Sequence, residues 1–188
     1  MTRLRRILVG HNFFPDGEVA VSSAAVLAAR ADAMLYLLHA IEPGPAYRHV
    51  PWPSPRPQPP HAELVQQLQA ELKTLAGSPE LAPLRVITEV RTGKPFVELI
   101  AAARRWPADV IVVGTSPRGE GRLLGSTADR VLRKSPVPVL VAKQRWPKSP
   151  QTILLPTDFS SCAQQAAEEG VALAHAFGSR AVFVHVLE

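Results

Sequence analysis

Residues 5–42 and 151–188 align without a gap at an offset of 146. Ile7 falls on Ile153, Leu8 on Leu154, Phe13 on Phe159, Ala20 on Ala166, Leu27 on Leu173, Ala28 on Ala174, His39 on His185 and Glu42 on Glu188. That makes eight identities in 38 positions, with apolar set against apolar at most others, so one structural unit begins twice. In the first copy, Arg6–Gly10 is a short apolar run ending in glycine, which reads as a buried strand. Residues 17–31 place Val21, Ala24, Ala25 and Ala28 at helical spacing, with Asp16 as the N-cap. Ala33–Ile41 is a second apolar run. Strand, helix and strand in this order require parallel strands joined by a right-handed crossover.

The alternation continues. Leu64, Val65, Leu68, Leu72 and Leu75 mark one face of a helix over 61–76, with Gly77 as its stop. Residues 84–90 read as a strand, Thr92–Pro95 as a turn, and Phe96, Val97, Ile100 and Ala103 as a further helix. Ala108–Gly114, the most apolar strand, is expected at the sheet centre. A polar glycine-rich loop over 115–124 leads into a helix from Ser126 to Lys134. Pro136–Ala142 is the last strand, its prolines suiting a strand start or an edge. This predicts an α/β fold, a doubly wound five-stranded parallel sheet over 1–143, followed by a linker at 144–150 and a partial second βαβ copy at 151–188. A unit of that size buries too little surface to fold alone. The expectation is a tandem protein cut after one unit, or a unit docked on another subunit, hence a homodimer or a pseudo-dimer of tandem domains.

Residues 43–60 hold eight of the chain's 19 prolines. Such a stretch prefers polyproline II and reads as a surface loop carrying Tyr47 and Trp52, either a plain connection or a lid or partner-binding segment. Hydrophobic residues make up 46% and charged residues 20%, which excludes wholesale disorder. The single cysteine, Cys162, excludes a disulfide framework and a multi-cysteine zinc site. No run approaches a membrane span. The basic, apolar start resembles a signal peptide, but its apolar run stops at His11-Asn12, so the expected compartment is the cytoplasm. The net charge of +5 is scattered, without a stripe interleaved with aromatics. A local phosphate site therefore accounts for it better than specific nucleic-acid binding.

In an open parallel sheet, ligands bind beyond the carboxyl ends of the strands at the switch in strand order. The loops after the first and fourth strands are the candidates. In the second, Gly114, Gly119, Gly121 and Gly125 let the backbone approach an anion, and Gly125-Ser126-Thr127 opens a helix whose free N–H groups suit phosphate. Arg118 and Arg122 add charge. Ser126 with Asp129 also reads as a capping-box-like pair, so its hydroxyl has two competing roles. The loop is not a Walker A motif, because no Gly-Lys-Ser/Thr ends it. His39 and His185 read as structural strand-end histidines. No metal spacing and no catalytic triad or carboxylate pair stands out.

The whole chain resembles the universal stress protein family. The resemblance rests on Ile7-Leu-Val, Leu38-His-Ala-Ile-Glu-Pro43, Gly93-Lys-Pro95, Ala108–Thr115, Leu123-Leu-Gly-Ser126 and Val131–Val141, with Ile153–Ser160 opening the second copy. It implies a five-stranded fold, dimers or tandem pairs and, in one branch, ATP binding, with magnesium as companion ion. That branch carries Gly, two residues, Gly, nine residues, Gly, then Ser or Thr, and an Asp after the first strand. Here the first Gly is Gly114, the second falls on Pro117, and the third is Gly125 followed by Ser126, which leaves the loop two residues short. Asn12 takes the acidic position, and Ala40 falls where a backbone contact to adenine is expected. The implied site is Asn12, Ala40, Gly114, Thr115, Arg118, Gly119, Gly121, Gly125, Ser126 and Thr127. The expected function is a cytoplasmic stress-response protein that binds an adenine nucleotide. The alternative is a dimerisation and partner-interaction module with a degenerate loop, and a nucleotide hydrolase or autophosphorylating enzyme ranks below both.

Overall fold

The computed structural model describes residues 4–42, 61–115 and 124–187. The proline-rich segment 43–60, with Tyr47 and Trp52, lies outside these residues, as does 116–123 with Arg118, Gly119, Gly121 and Arg122. The chain divides into two compact units, Thr2–Arg145 and Trp146–Glu188.

The first unit runs β1 (Arg6–Gly10), α1 (Pro15–Ala31), β2 (Met34–Ile41), α2 (His61–Ala76), β3 (Val86–Thr92), α3 (Pro95–Arg105), β4 (Val110–Gly114), α4 (Ser126–Lys134) and β5 (Val139–Ala142). The strands form one sheet in the order β3-β2-β1-β4-β5, every pair parallel. This is the expected doubly wound sheet. Its central strand, however, is β1, with β4 beside it. Both are apolar along their length because parallel strands inside such a sheet are covered on both faces. Right-handed crossovers put α1 and α2 on one face and α3 and α4 on the other. On the α3/α4 face, Leu8, Tyr36, Leu38, Ile111 and Val113 pack against Leu99, Ala102, Ala128 and Val131.

Several boundaries move for local reasons. Helix α1 starts at Pro15, whose fixed φ and missing N–H suit the first helical position, and Phe14 is the N-cap. Asp16 therefore lies inside the first turn and does not cap the helix. β3 begins at Val86 and takes in Thr92, because Leu81–Leu84 are held in a turn that ends with the Leu84 N–H on the Leu81 carbonyl. β4 begins at Val110: the Ala108 N–H closes α3 on the Ala103 carbonyl, and the Asp109 carboxylate accepts from the N–H groups of Arg5 and Arg6. β5 begins at Val139, after a turn in which the Ser135 hydroxyl and Val137 backbone bond to each other. Gly77 ends α2 with its N–H on the Lys73 and Thr74 carbonyls, without the left-handed conformation usual for a glycine stop. The capping-box pair does not form: Gly125 is the N-cap of α4, and Asp129 pairs with Arg133.

The second unit is β6 (Thr152–Pro156), α5 (Ser161–Phe177) and β7 (Arg180–Val184), with β6 and β7 parallel. The Ser160 hydroxyl caps α5 by accepting from the Ala163 N–H. Cys162, in the first turn, is exposed. Leu155, Ala174 and Phe177 form the small buried centre.

The repeat extends to fine geometry. His39 Nδ1 donates to the His11 carbonyl at 2.8 Å, and His185 Nδ1 to that of Thr157 at 2.7 Å. Phe13 and Phe159 both have positive φ, and each ring lies against the histidine of its own copy. The side chains of Asn12 and Asp158 accept from the N–H two residues on. In Asp158 the Ser160 hydroxyl and N–H hold the carboxyl below its usual pKa.

Candidate functional site

Strand order reverses between β1 and β4. From β1 the chain winds outward through β2 to β3, and α3 then carries it back across to β4. The loops leaving β1 and β4 therefore part in opposite directions, opening a crevice at the carboxyl end of the sheet. A cavity of about 350 Å³ lies there, within the range of small-molecule sites.

Of the expected residues, Asn12, Ala40, Gly114, Gly125, Ser126 and Thr127 line this cavity. Thr115 is not among the lining residues; its Oγ1 accepts from the Gly125 N–H at 3.3 Å and ties together the two ends of the glycine loop. Gly114 meets a near neighbour on its other side. A Cβ there would lie 1.9 Å from the Asp16 carbonyl oxygen, so its missing side chain lets the first turn of α1 close onto β4.

Asn12 is held from two sides. Its Oδ1 accepts from the Phe14 N–H at 3.1 Å, and its Nδ2 donates to Asp16 Oδ2 at 2.9 Å. An N–H needs the oxygen and a carboxylate needs the nitrogen, so these partners fix the amide's orientation. Gly17 packs beneath, where a Cβ would come within 2.3 Å of Asn12 Oδ1.

Charged and aromatic residues that the motif does not indicate complete the walls. Lys94, the N-cap of α3, and Arg130 line the cavity, as do Asp16 and Glu42. The Arg130 guanidinium stacks over Phe96, 5.2 Å from the ring centroid. Arg130 is legible from its position, one helical turn after Ser126 on the same face. Lys94 and Asp16 carry only turn and cap signals in the sequence, and their approach to the crevice depends on α1 and α3 docking. His11 is buried in the wall, and this burial lowers its pKa, keeping the imidazole neutral further into acid. Among the described residues, no group of three or more His, Cys, Asp or Glu side chains is placed to hold a metal ion. Nor is any helix among them long and apolar enough to cross a membrane.

Residues 3–143 and 150–188 both match the model of the universal stress protein family. The chain belongs to the universal stress protein family. It is 36% identical over 89 residues to universal stress protein MJ0531 of Methanocaldococcus jannaschii, a match covering 44% of this chain and 52% of that relative, about half its length. The structure of a universal stress protein from Archaeoglobus fulgidus superposes with a TM-score of 0.72 at 18% identity, over 100% of this chain and 69% of that one. The universal stress protein fold thus extends across both units' sequence. A universal stress protein solved in complex with cAMP aligns with a TM-score of 0.55 at 22% identity, covering 76% of this chain and 99% of that one.

Proposed function

We propose that this universal stress protein binds an adenine nucleotide, ATP being the expected ligand, in the crevice between β1 and β4. The supporting observation is the cavity itself, which has the N-terminus of α4 on one wall and Lys94 and Arg130 at its side. The first N–H groups of a helix have no intrahelical partner and sit at its positive dipole end, so they suit phosphate. Arg130, stacked on Phe96, adds a guanidinium that can grip phosphate oxygens in a fork. On this reading the base lies toward Ala40 at the end of β2, and the phosphates lie toward Gly125, Ser126 and Thr127. Magnesium would come with the triphosphate. The cAMP bound by the related protein fits the same ligand class.

Calorimetric titration with ATP, with and without magnesium, tests the reading. Saturable heat and a raised melting temperature are expected; neither at millimolar ligand rejects it. Gly125→Asp is the decisive variant. Aspartate is a favoured N-cap, so the helix stays stable while a carboxylate occupies the phosphate end, and binding should be lost.

The partner-interaction reading keeps one supporting observation: β5 lies at an edge of the five-stranded sheet, and edge strands are where a second copy can pair. Sedimentation of the purified protein distinguishes dimer from monomer, whether or not nucleotide binds.

A further inference from the structure

We infer that Asp16, and not Asn12, reads the sugar of the ligand, making the site selective for nucleotides with a free ribose 2′,3′-diol. This rests on the nucleotide reading above. In the sheet β1 lies between β2 and β4. A ligand with its base at the end of β2 and its phosphates at α4, beyond β4, must carry its sugar across the end of β1. Three polar side chains of the segment leaving β1 line the cavity there: His11, which is buried in the wall, and the half-buried Asn12 and Asp16, which a sugar can reach.

Asn12 has both ends engaged, its oxygen on the Phe14 N–H and its nitrogen on Asp16. Gly17 leaves it little room to turn, since even a methyl group at that position would collide with it. Asp16 uses only Oδ2 in that contact, and Oδ1 has no hydrogen-bond partner among the described residues. A half-buried carboxylate with a free oxygen is an acceptor for two neighbouring hydroxyls, and hydrogen bonds to a charged acceptor are among the stronger ones. Asn12 is then a positioning residue: its amide fixes the carboxylate's rotation. An aspartate at position 12 could not serve in this way, because it would set two carboxylates against each other.

The test compares affinities for ATP and 2′,3′-dideoxy-ATP in the full chain. The unaltered protein should prefer ATP by about tenfold or more. Asp16→Asn keeps a partner for the Asn12 amide while removing the charge. It should cut the preference below about threefold by weakening ATP relative to dideoxy-ATP, whereas mere loosening of α1 would weaken both alike and keep the ratio. Asn12→Ala should keep most of the preference. The inference is overturned if the unaltered protein binds both ligands equally, or if Asp16→Asn keeps the preference; loss of the preference in Asn12→Ala alone would assign the sugar contact to Asn12 instead. Failure of the unaltered protein to bind either ligand overturns the nucleotide reading itself, and this inference with it. The ligand comparison on the unaltered protein needs no variant to fold.

Discussion

Gly114 stands out in the sequence as a glycine that lets backbone approach an anion. Its surroundings give it a second task, because the Asp16 carbonyl occupies the space where a side chain would start. Gly114→Ala should therefore destabilise the fold by about 1–3 kcal/mol, as overpacking against backbone does. Gly77→Ala is the control. Its Cβ would have no neighbour nearer than 3.5 Å, and its φ is not positive, so it should be neutral or stabilise by about 0.4–1 kcal/mol. Urea denaturation of the two variants checks both. The difference is not legible in the sequence, since both glycines follow an apolar element and only the docking of α1 separates them. The same limit explains Asp16. As a residue type before a helix it suggests a cap, and its place beside Asn12 follows from Pro15 starting the helix two residues earlier than expected.

Among the elements, the helix ends that carry the repeat are the most informative. Helices α1 and α5 both stop on a residue in the left-handed conformation, Asp32 in the first copy and Gly178 in the second, 146 positions apart. Only glycine adopts that conformation without a steric cost from Cβ. The second copy thus shows the residue that the first copy lacks. Asp32→Gly should stabilise the protein by about 0.5–1 kcal/mol, measured as a rise in melting temperature. The substitution also removes an ion pair between Asp32 and Arg85, but both side chains are exposed and the pair contributes little. Element identity and order are legible because apolar periodicity records burial, which is a property of whole strands and helices. Boundaries move by about two residues where a neighbour competes for the same backbone groups, as at Ala108 and Asp109, whose N–H groups bond to the Ala103 and Arg6 carbonyls.

For the molecule as a whole, equivalent residues in the two copies have different surroundings. Leu8 is fully buried beneath α3 and α4, whereas its counterpart Leu154 is 65% exposed. Leu8→Lys buries an unpaired charge and should cost more than about 4 kcal/mol, enough to lose the folded sheet. Leu154→Lys should change stability by no more than about 0.5 kcal/mol. Circular dichroism through a urea titration separates the two outcomes. The offset alignment shows that the copies share a local fold, while the cover over Leu8 comes from α3 and α4, which lie outside the aligned segment. Within the first copy, the segment leaving β1 is fastened before any ligand arrives: the His11 N–H bonds to the Leu38 carbonyl, the His11 carbonyl accepts from His39, and Asn12 is held between Phe14 and Asp16. An arriving molecule meets on that side a template already set, so little conformational freedom is surrendered there at the moment of capture.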